Sequence, residues 1–451
     1  MASTRLTRTP SSNGNDKIAT LSMWIKRSRI DGTQQNLFTS GPESERTQIF
    51  FTTDETLHIQ AYSSSSATTN VITNRKFRDP SAWYHIVIAF DSTQSSADDR
   101  IKLYVNGVQE TSFGTNTRQS QNGTFSFNQS SRTVTIGNYL SSSYYFKGSM
   151  SHLHWIDGTA YAASNFGSTD SATGEWKINT GPTLTYGTNG FFILKDGNSV
   201  TDQSGNGNNL TVASGTLTKT EDNPSNNFCT LNPVTQHTYN FSNGANTIVR
   251  SGSASTTIGT IATAKGKWYW EVKLVSGQSN YPRIGIFKSN ADNHIHTTYL
   301  GNTSGGTGKW WGSGGSGSGN NVIADGNAST TAFYSYTNGD ILMFAMDNDN
   351  GKLWFGNNGT WYTNDNSTTT TGSAITAGSA TPAFSTVTTG AHWTPAIFGN
   401  DGADVWSANF GNGYFGTTAV ASAGTNASGI GIFEYDVPVG YNALCTKGLN
   451  L

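Results

Sequence analysis

The chain has 451 residues, more than one β-sandwich holds, so two or three domains are expected. Only 12% of residues are charged, the net charge is −2 and no basic stripe is visible, which argues against a nucleic-acid partner; no apolar run approaches the roughly 20 residues that cross a bilayer as a helix. Aromatic residues also reach 12%, which excludes a disordered chain, because rings in that number bury enough surface to offset the entropy of ordering. Residues 1–9 hold Arg5 and Arg8 with no apolar run after them and do not read as a secretory leader. Alternation with a period of two begins at residues 20–26, where Leu21, Met23 and Ile25 share a face. It recurs at 48–52, 56–62, 83–91 and 100–105. Asn106-Gly107 then predicts a hairpin turn, since both turn positions take positive φ. Strands at 133–137 and 149–157 follow, giving a first domain over 1–195. Residues 196–232, rich in Gly and Asn, have the composition of a linker, although Leu210, Val212 and Phe228 could dock on a neighbour. Strands resume near Tyr239 and continue at 268–275, 283–287, 332–336, 340–347, 352–355, 393–398 and 405–410, giving a second domain over 233–451. Residues 303–321 and 366–380 are low-complexity and read as long loops. Helical periodicity is nearly absent.

The expected fold is therefore all-β, two tandem antiparallel β-sandwich domains with almost no helix. Residues 83–109, WYHIVIAFDSTQSSADDRIKLYVNGVQ, resemble the laminin-G-like branch of the concanavalin-A-like jelly rolls, with Trp83, Tyr84, His85, Tyr104, Val105, Asn106 and Gly107 carrying the likeness. In the second half, GKWYWE at 266–271, GDILMFAMD at 339–347, KLWFGNNGTW at 352–361, NFG at 409–411 and PVGYNAL at 438–444 resemble the SPRY family in order. The tandem and its junction, SNFGSTDSATGEW at 164–176 through DNPSNN at 222–227, resemble structural proteins of tailed phages that infect marine bacteria and cyanobacteria. That resemblance implies a virion appendage made in a bacterial cytoplasm, a tail fibre, capsid fibre or surface decoration. Its implied partners are further copies of itself, with a trimer favoured by analogy, other virion proteins and a host surface glycan. No cofactor is implied.

Chemistry is sparse in the sequence. The closely spaced acids Glu43 and Glu45, and Glu434 and Asp436, lie beside prolines and read as solvated or turn-forming, not as the acid pair a glycosidase needs. No Gly-x-Ser-x-Gly elbow opens a helix, so no catalytic residue is expected. Asp347 and Asp349 start like a calcium loop, but Gly351 and Asn358 stand where ligands belong, so a hairpin turn is expected. His152 and His154, and His294 and His296, have strand spacing but lack further ligands, so no metal is expected. Cys229 and Cys445 are too few for a disulfide scaffold and are expected as separate thiols, with a bond between them left open. The candidate ligand contacts are aromatic: Trp310 and Trp311 in the Gly/Ser run, and Tyr144 and Tyr145 beside Phe146. The alternative for the two tryptophans is that they plug the core of their domain.

Overall fold

The structure is a computed structural model of the chain, and its described residues are 4–139, 144–195, 199–234, 239–252, 255–277, 282–289, 300, 308–313, 321–325, 331–399 and 404–450. It divides into two units, Met1–Lys219 and Thr220–Leu451. Among the described residues the first unit runs β1 (Arg5–Arg8), β2 (Ile18–Arg27), β3 (Gln35–Ser40), β4 (Thr47–Phe51), β5 (Thr56–Ser63), β6 (Ser66–Lys76), β7 (Tyr84–Asp91), β8 (Ile101–Val105), β9 (Val108–Gln109), β10 (Phe113–Thr117), β11 (Val134–Ile136), β12 (Gly148–Asp157), β13 (Gly167–Thr169), β14 (Trp176–Ile178), β15 (Phe191–Ile193) and β16 (Thr211–Ser214). An eight-stranded sheet, β10-β6-β5-β4-β3-β11-β1-β16, packs against a six-stranded one, β15-β12-β2-β7-β8-β9. Side chains alternate across each strand, so Leu21, Ile25, Ile88 and Leu103 from one sheet meet Ile49, Ile59, Val71 and Val134 from the other in one buried core. The outer face of the six-stranded sheet is also covered: Val87, Ile156 and Phe192 pack under Ala163, Phe166 and Tyr186 of the segment after β12.

The second unit runs β17 (Tyr239–Ser242), β18 (Thr247–Arg250), β19 (Ser255–Ile258), β20 (Lys267–Ser276), β21 (Arg283–Lys288), β22 (Gly308–Ser313), β23 (Asn321–Asp325), β24 (Thr331–Ala332), β25 (Ile341–Asp347), β26 (Lys352–Asn357), β27 (Thr360–Tyr362), β28 (Thr369–Thr370), α1 (Gly372–Thr376), β29 (Trp393–Gly399), β30 (Val405–Asn409), β31 (Tyr414–Phe415), β32 (Thr418–Ala419) and β33 (Asn442–Ala443). Its sheets are β17-β18-β30-β20-β25-β26-β27-β28, with β33 beside β20, and β19-β29-β21-β22-β23-β24. Trp270, Phe344, Phe355, Trp393 and Trp406 fill the core between them. A further layer, with Tyr269, Trp354, Trp361, Ile375, Phe433 and Tyr441, closes over the outer face of the larger sheet.

Several expectations change. The low-complexity run 303–321 contains β22, and the run 366–380 contains β28 and α1, whose Ile375 is buried. Only Thr331–Ala332 is strand near 332–336; Phe333 and Tyr336 are buried in loop conformation instead. Within the run expected as a linker, the division between the units falls between Lys219 and Thr220. The Asp202 carboxylate accepts from the backbone N–H of Phe192 (2.9 Å), Ser204 (2.8 Å) and Asn208 (2.8 Å). Asn206 and Asn208 donate to the carbonyls of Gly187, Thr188 and Gly190. With Leu210 buried and β16 paired to β1, the Gly/Asn run is a clip that finishes the first unit. Cys229 and Cys445 sit on paired segments, with a bridge between Phe228 and Cys445, and they are not joined by a disulfide. Cys229 points into the main core of the second unit and Cys445 into the layer on the other side.

Candidate functional site

One register line crosses the whole eight-stranded sheet. Thr211 of β16 pairs with Thr7 of β1, Thr7 with Thr135 of β11, Thr135 with Thr39 of β3, and Thr39 with Gln48 of β4. Gln48 continues to Gln60 of β5, Gln60 to Asn70 of β6, and Asn70 to Thr117 of β10. Their neighbours Leu6, Val134, Ile49, Ile59 and Val71 face the core, so this row faces outward. Strands lie about 4.8 Å apart, so the row runs on the order of 30 Å perpendicular to the strands. Every member carries a hydroxyl or an amide and none carries a carboxylate. The turn after β11 overlies its middle: the Thr39 hydroxyl donates to the Asn138 carbonyl at 3.4 Å, and Thr39, Gln48 and Thr135 are buried. Gln60 and Asn70 are half-buried, and Thr117 and Thr211 are exposed.

Arg46 stands at the centre of this face. Its guanidinium lies over the Tyr62 ring at 4.0 Å and near Tyr139 at 5.7 Å. Its Nε donates to Gln48 Oε1 at 3.1 Å, Nη2 donates to Gln60 Oε1 at 3.2 Å, and Nη1 donates to the Glu43 carbonyl. The Tyr144 ring lies tilted against Tyr139, with centroids 6.1 Å and planes 57° apart, and is 48% exposed, at φ 61°. Its carbonyl accepts from Asn36 N–H at 2.9 Å, and Tyr145 bridges to Asn36 through the backbone and is half-buried. His58 lies on the same face. Burial, opposed by Asn70 and reinforced by Arg46, pushes its pKa down to about 4, so its ring is neutral.

The structure thus brings Tyr144 and Tyr145 to this face and takes Trp310 and Trp311 away from any surface. The two tryptophans lie on β22, which pairs on both sides, so successive residues face opposite ways. Trp311 is fully buried, stacks on Phe355 at 5.7 Å, and donates its Nε1–H to the Tyr334 carbonyl at 2.7 Å. Trp310 is buried on the opposite face beneath the Arg283 guanidinium at 4.3 Å. Both side chains pack inside their unit.

Several of the other candidates among the described residues make local contacts. Glu45 pairs with Arg132, Glu434 accepts from Ala421 N–H at 2.7 Å, and Asp436 accepts from Thr425 N–H at 2.6 Å. Asp347 holds its turn through the N–H groups of Asp349 (3.1 Å) and Asn350 (3.0 Å). His294 and His296 lie outside the described residues. His152 sits at positive φ in a bulge of β12, and His154 is buried with its Nδ1 2.8 Å from the Tyr186 hydroxyl. His85, one residue of a strand motif in the sequence, pins the covering segment. It stacks on Trp24 at 4.6 Å, and its Nδ1 accepts the Trp176 indole N–H at 2.9 Å, leaving the ring proton on Nε2 toward Ser22 Oγ at 2.9 Å. In the second unit, buried Glu271 accepts from the Tyr269 hydroxyl (2.9 Å), Asn409 Nδ2 (3.2 Å) and the N–H groups of Glu434 and Tyr435 (2.9 Å each). Burial pushes its pKa up to about 7 against those donors, and it anchors the C-terminal layer to the sheet.

Residues 3–164 match the family model described as the concanavalin A-like lectin/glucanases superfamily. No curated protein sequence matches the chain. Among solved structures, the SPRY domain of human HERC1 is similar at 17% identity and a TM-score of 0.28, covering 40% of this chain and 96% of that one. The heptameric SAP-like pentraxin of Limulus polyphemus is similar at 15% identity and a TM-score of 0.27, covering 36% of this chain and 72% of that one. The TRIM65 PSpry domain is similar at 13% identity and a TM-score of 0.27, covering 40% of this chain and 91% of that one.

Proposed function

We propose that this chain is a non-enzymatic structural and binding protein of a phage particle, a tail fibre, capsid fibre or surface decoration, whose first unit touches a glycan through the outer face of its eight-stranded sheet. The observation that carries the glycan contact is the uncovered part of the Thr/Gln/Asn row, Gln60, Asn70 and Thr117, beside Tyr62, Tyr139 and Tyr144. Sugar hydroxyls both donate and accept, and amides and hydroxyls answer both needs, while tyrosine rings cover the apolar faces of sugar rings. Hydrolysis of a glycosidic bond needs two carboxyl groups about 5–9 Å apart across it, and the row supplies none. The virion assignment is supported by the order of motifs along the sequence; fold alone does not carry function. Self-association, with a trimer favoured by analogy, and contact with other virion proteins belong to the same reading.

Both parts can be tested separately. On a glycan array the wild-type chain is expected to bind, and Gln60→Ala and Asn70→Ala are expected to weaken binding without changing circular dichroism. A flat array for the wild type rejects the glycan contact. Antibody against the chain is expected to label purified particles; detection only in the unassembled fraction of an infected lysate rejects the virion reading.

A further inference from the structure

We infer that the glycan face selects an acidic sugar, whose carboxylate or sulfate is seated against Arg46. The inference rests on the glycan reading above and adds the charge of the ligand. A guanidinium only donates, so the amides it touches must turn their carbonyls toward it. Gln48 and Gln60 both do, through Oε1. Their NH₂ groups therefore point elsewhere. Gln48 Nε2 donates to Asn36 Oδ1 at 2.7 Å, which in turn commits the carbonyl end of Asn36. Asn36 is fully buried, and its Nδ2 has no hydrogen-bond partner. The polarity of the cation is thus relayed through Gln48 to Asn36 and leaves one buried donor, Asn36 Nδ2, unanswered on the Arg46 side, whereas the unanswered buried atom farther along the row is an acceptor, Asn70 Oδ1.

The charge is unanswered as well. Among the described residues no carboxylate lies within ion-pair distance of Arg46: Glu45 is committed to Arg132, and Glu43 offers Arg46 its backbone carbonyl. The neighbouring His58 is neutral and adds no charge of its own. Tyr62 and Tyr139 hold the guanidinium from the side, which limits its freedom to swing into water. A neutral hydroxyl satisfies one donor and leaves the charge. A carboxylate or sulfate presents several acceptor lone pairs in the spacing a guanidinium fork matches, and charge-assisted bonds of this kind are about twice as strong as neutral ones. Tyr144, exposed beside Tyr139, is placed to stack on the sugar ring that bears the anion.

The test is calorimetric titration of the full chain at about 0.15 M salt, with polygalacturonate, dextran sulfate, dextran and polyglutamate as the four probes. At least one acidic polysaccharide is expected to bind more tightly than dextran and polyglutamate, and the stronger of the two identifies the oxyanion. Arg46→Gln is expected to weaken that binding about tenfold or more, with Arg46→Lys recovering only part because it lacks the fork. Gln60→Glu, which supplies Arg46 with an internal carboxylate, is expected to do the same, and it serves if Arg46→Gln melts early. Equal binding of dextran, or no effect of these substitutions, overturns the inference and leaves the glycan contact standing. Polyglutamate binding as tightly as polygalacturonate also overturns it, since charge alone then suffices. Failure of all polysaccharides overturns both.

Discussion

At the scale of single residues, Trp310 and Trp311 are buried, while Tyr144 is exposed. Trp311 is a core residue, so Trp311→Ala is expected to remove about 3–5 kcal/mol of stability, read by denaturant unfolding, while leaving polysaccharide binding intact. Loss of binding with unchanged stability would reverse that assignment. Trp176 does its work through one proton. Its indole N–H is the donor to His85 Nδ1, and its ring lies 2.3 Å from where a Cβ on Gly107 would sit, so the Asn-Gly turn is glycine for two reasons, the second being φ of 80°. Trp176→Phe keeps an aromatic ring, though a smaller one, and deletes the donor, leaving His85 Nδ1 unanswered. A loss of about 1–3 kcal/mol is expected; a change below about 0.5 kcal/mol would show that the indole bond contributes nothing beyond an ordinary surface substitution.

At the scale of elements, the two sheets of the first unit hold neutral imidazoles on their outer faces. Burial lowers His58 to about 4 and His85 to about 3, and lowers His154 well below its ordinary 6.5, with His152 and His85 as like-charge neighbours and Lys195 adding to the effect. The unfolded chain binds protons near pH 6.5 that the folded unit refuses. Stability of this unit is therefore complete above pH 6.5 and falls as pH drops toward 4. With three such rings the slope approaches roughly 4 kcal/mol per pH unit. Denaturant midpoints at pH 7, 6 and 5 check it; a midpoint that does not move would refute the neutral cluster. The β12 strand also shows what alternation hides. His152 and His154 have strand spacing in the sequence, but the register slips between Ser151 and His154, and only the fold reveals that bulge.

At the scale of the whole molecule, strands with strong alternation, such as β2, β7 and β20, were legible because their own side chains specify a buried face. Strands β6, β16 and β22 were not, since they are polar or glycine-flanked and owe their conformation to the strands beside them. The candidate face was illegible for a related reason. It takes one residue from each of eight strands, so no stretch of sequence contains it, and only Tyr144 and Tyr145 at its rim stood out as a cluster. The clip around Asp202 makes a prediction at this scale too. A fragment of residues 1–219 is expected to fold cooperatively, whereas one of residues 1–195 lacks β16, Leu210 and the Asp202 carboxylate that caps Phe192, and is expected to melt several degrees lower. Equal melting temperatures would mean the clip is dispensable.

The two sulfur atoms of the second unit have a bearing on where such a chain can work. Their segments lie side by side, yet one thiol looks into each of two separate layers, so no oxidant can join them unless a segment is first turned over. An oxidising medium is consequently expected to leave the folded unit without an internal cross-link between these two residues.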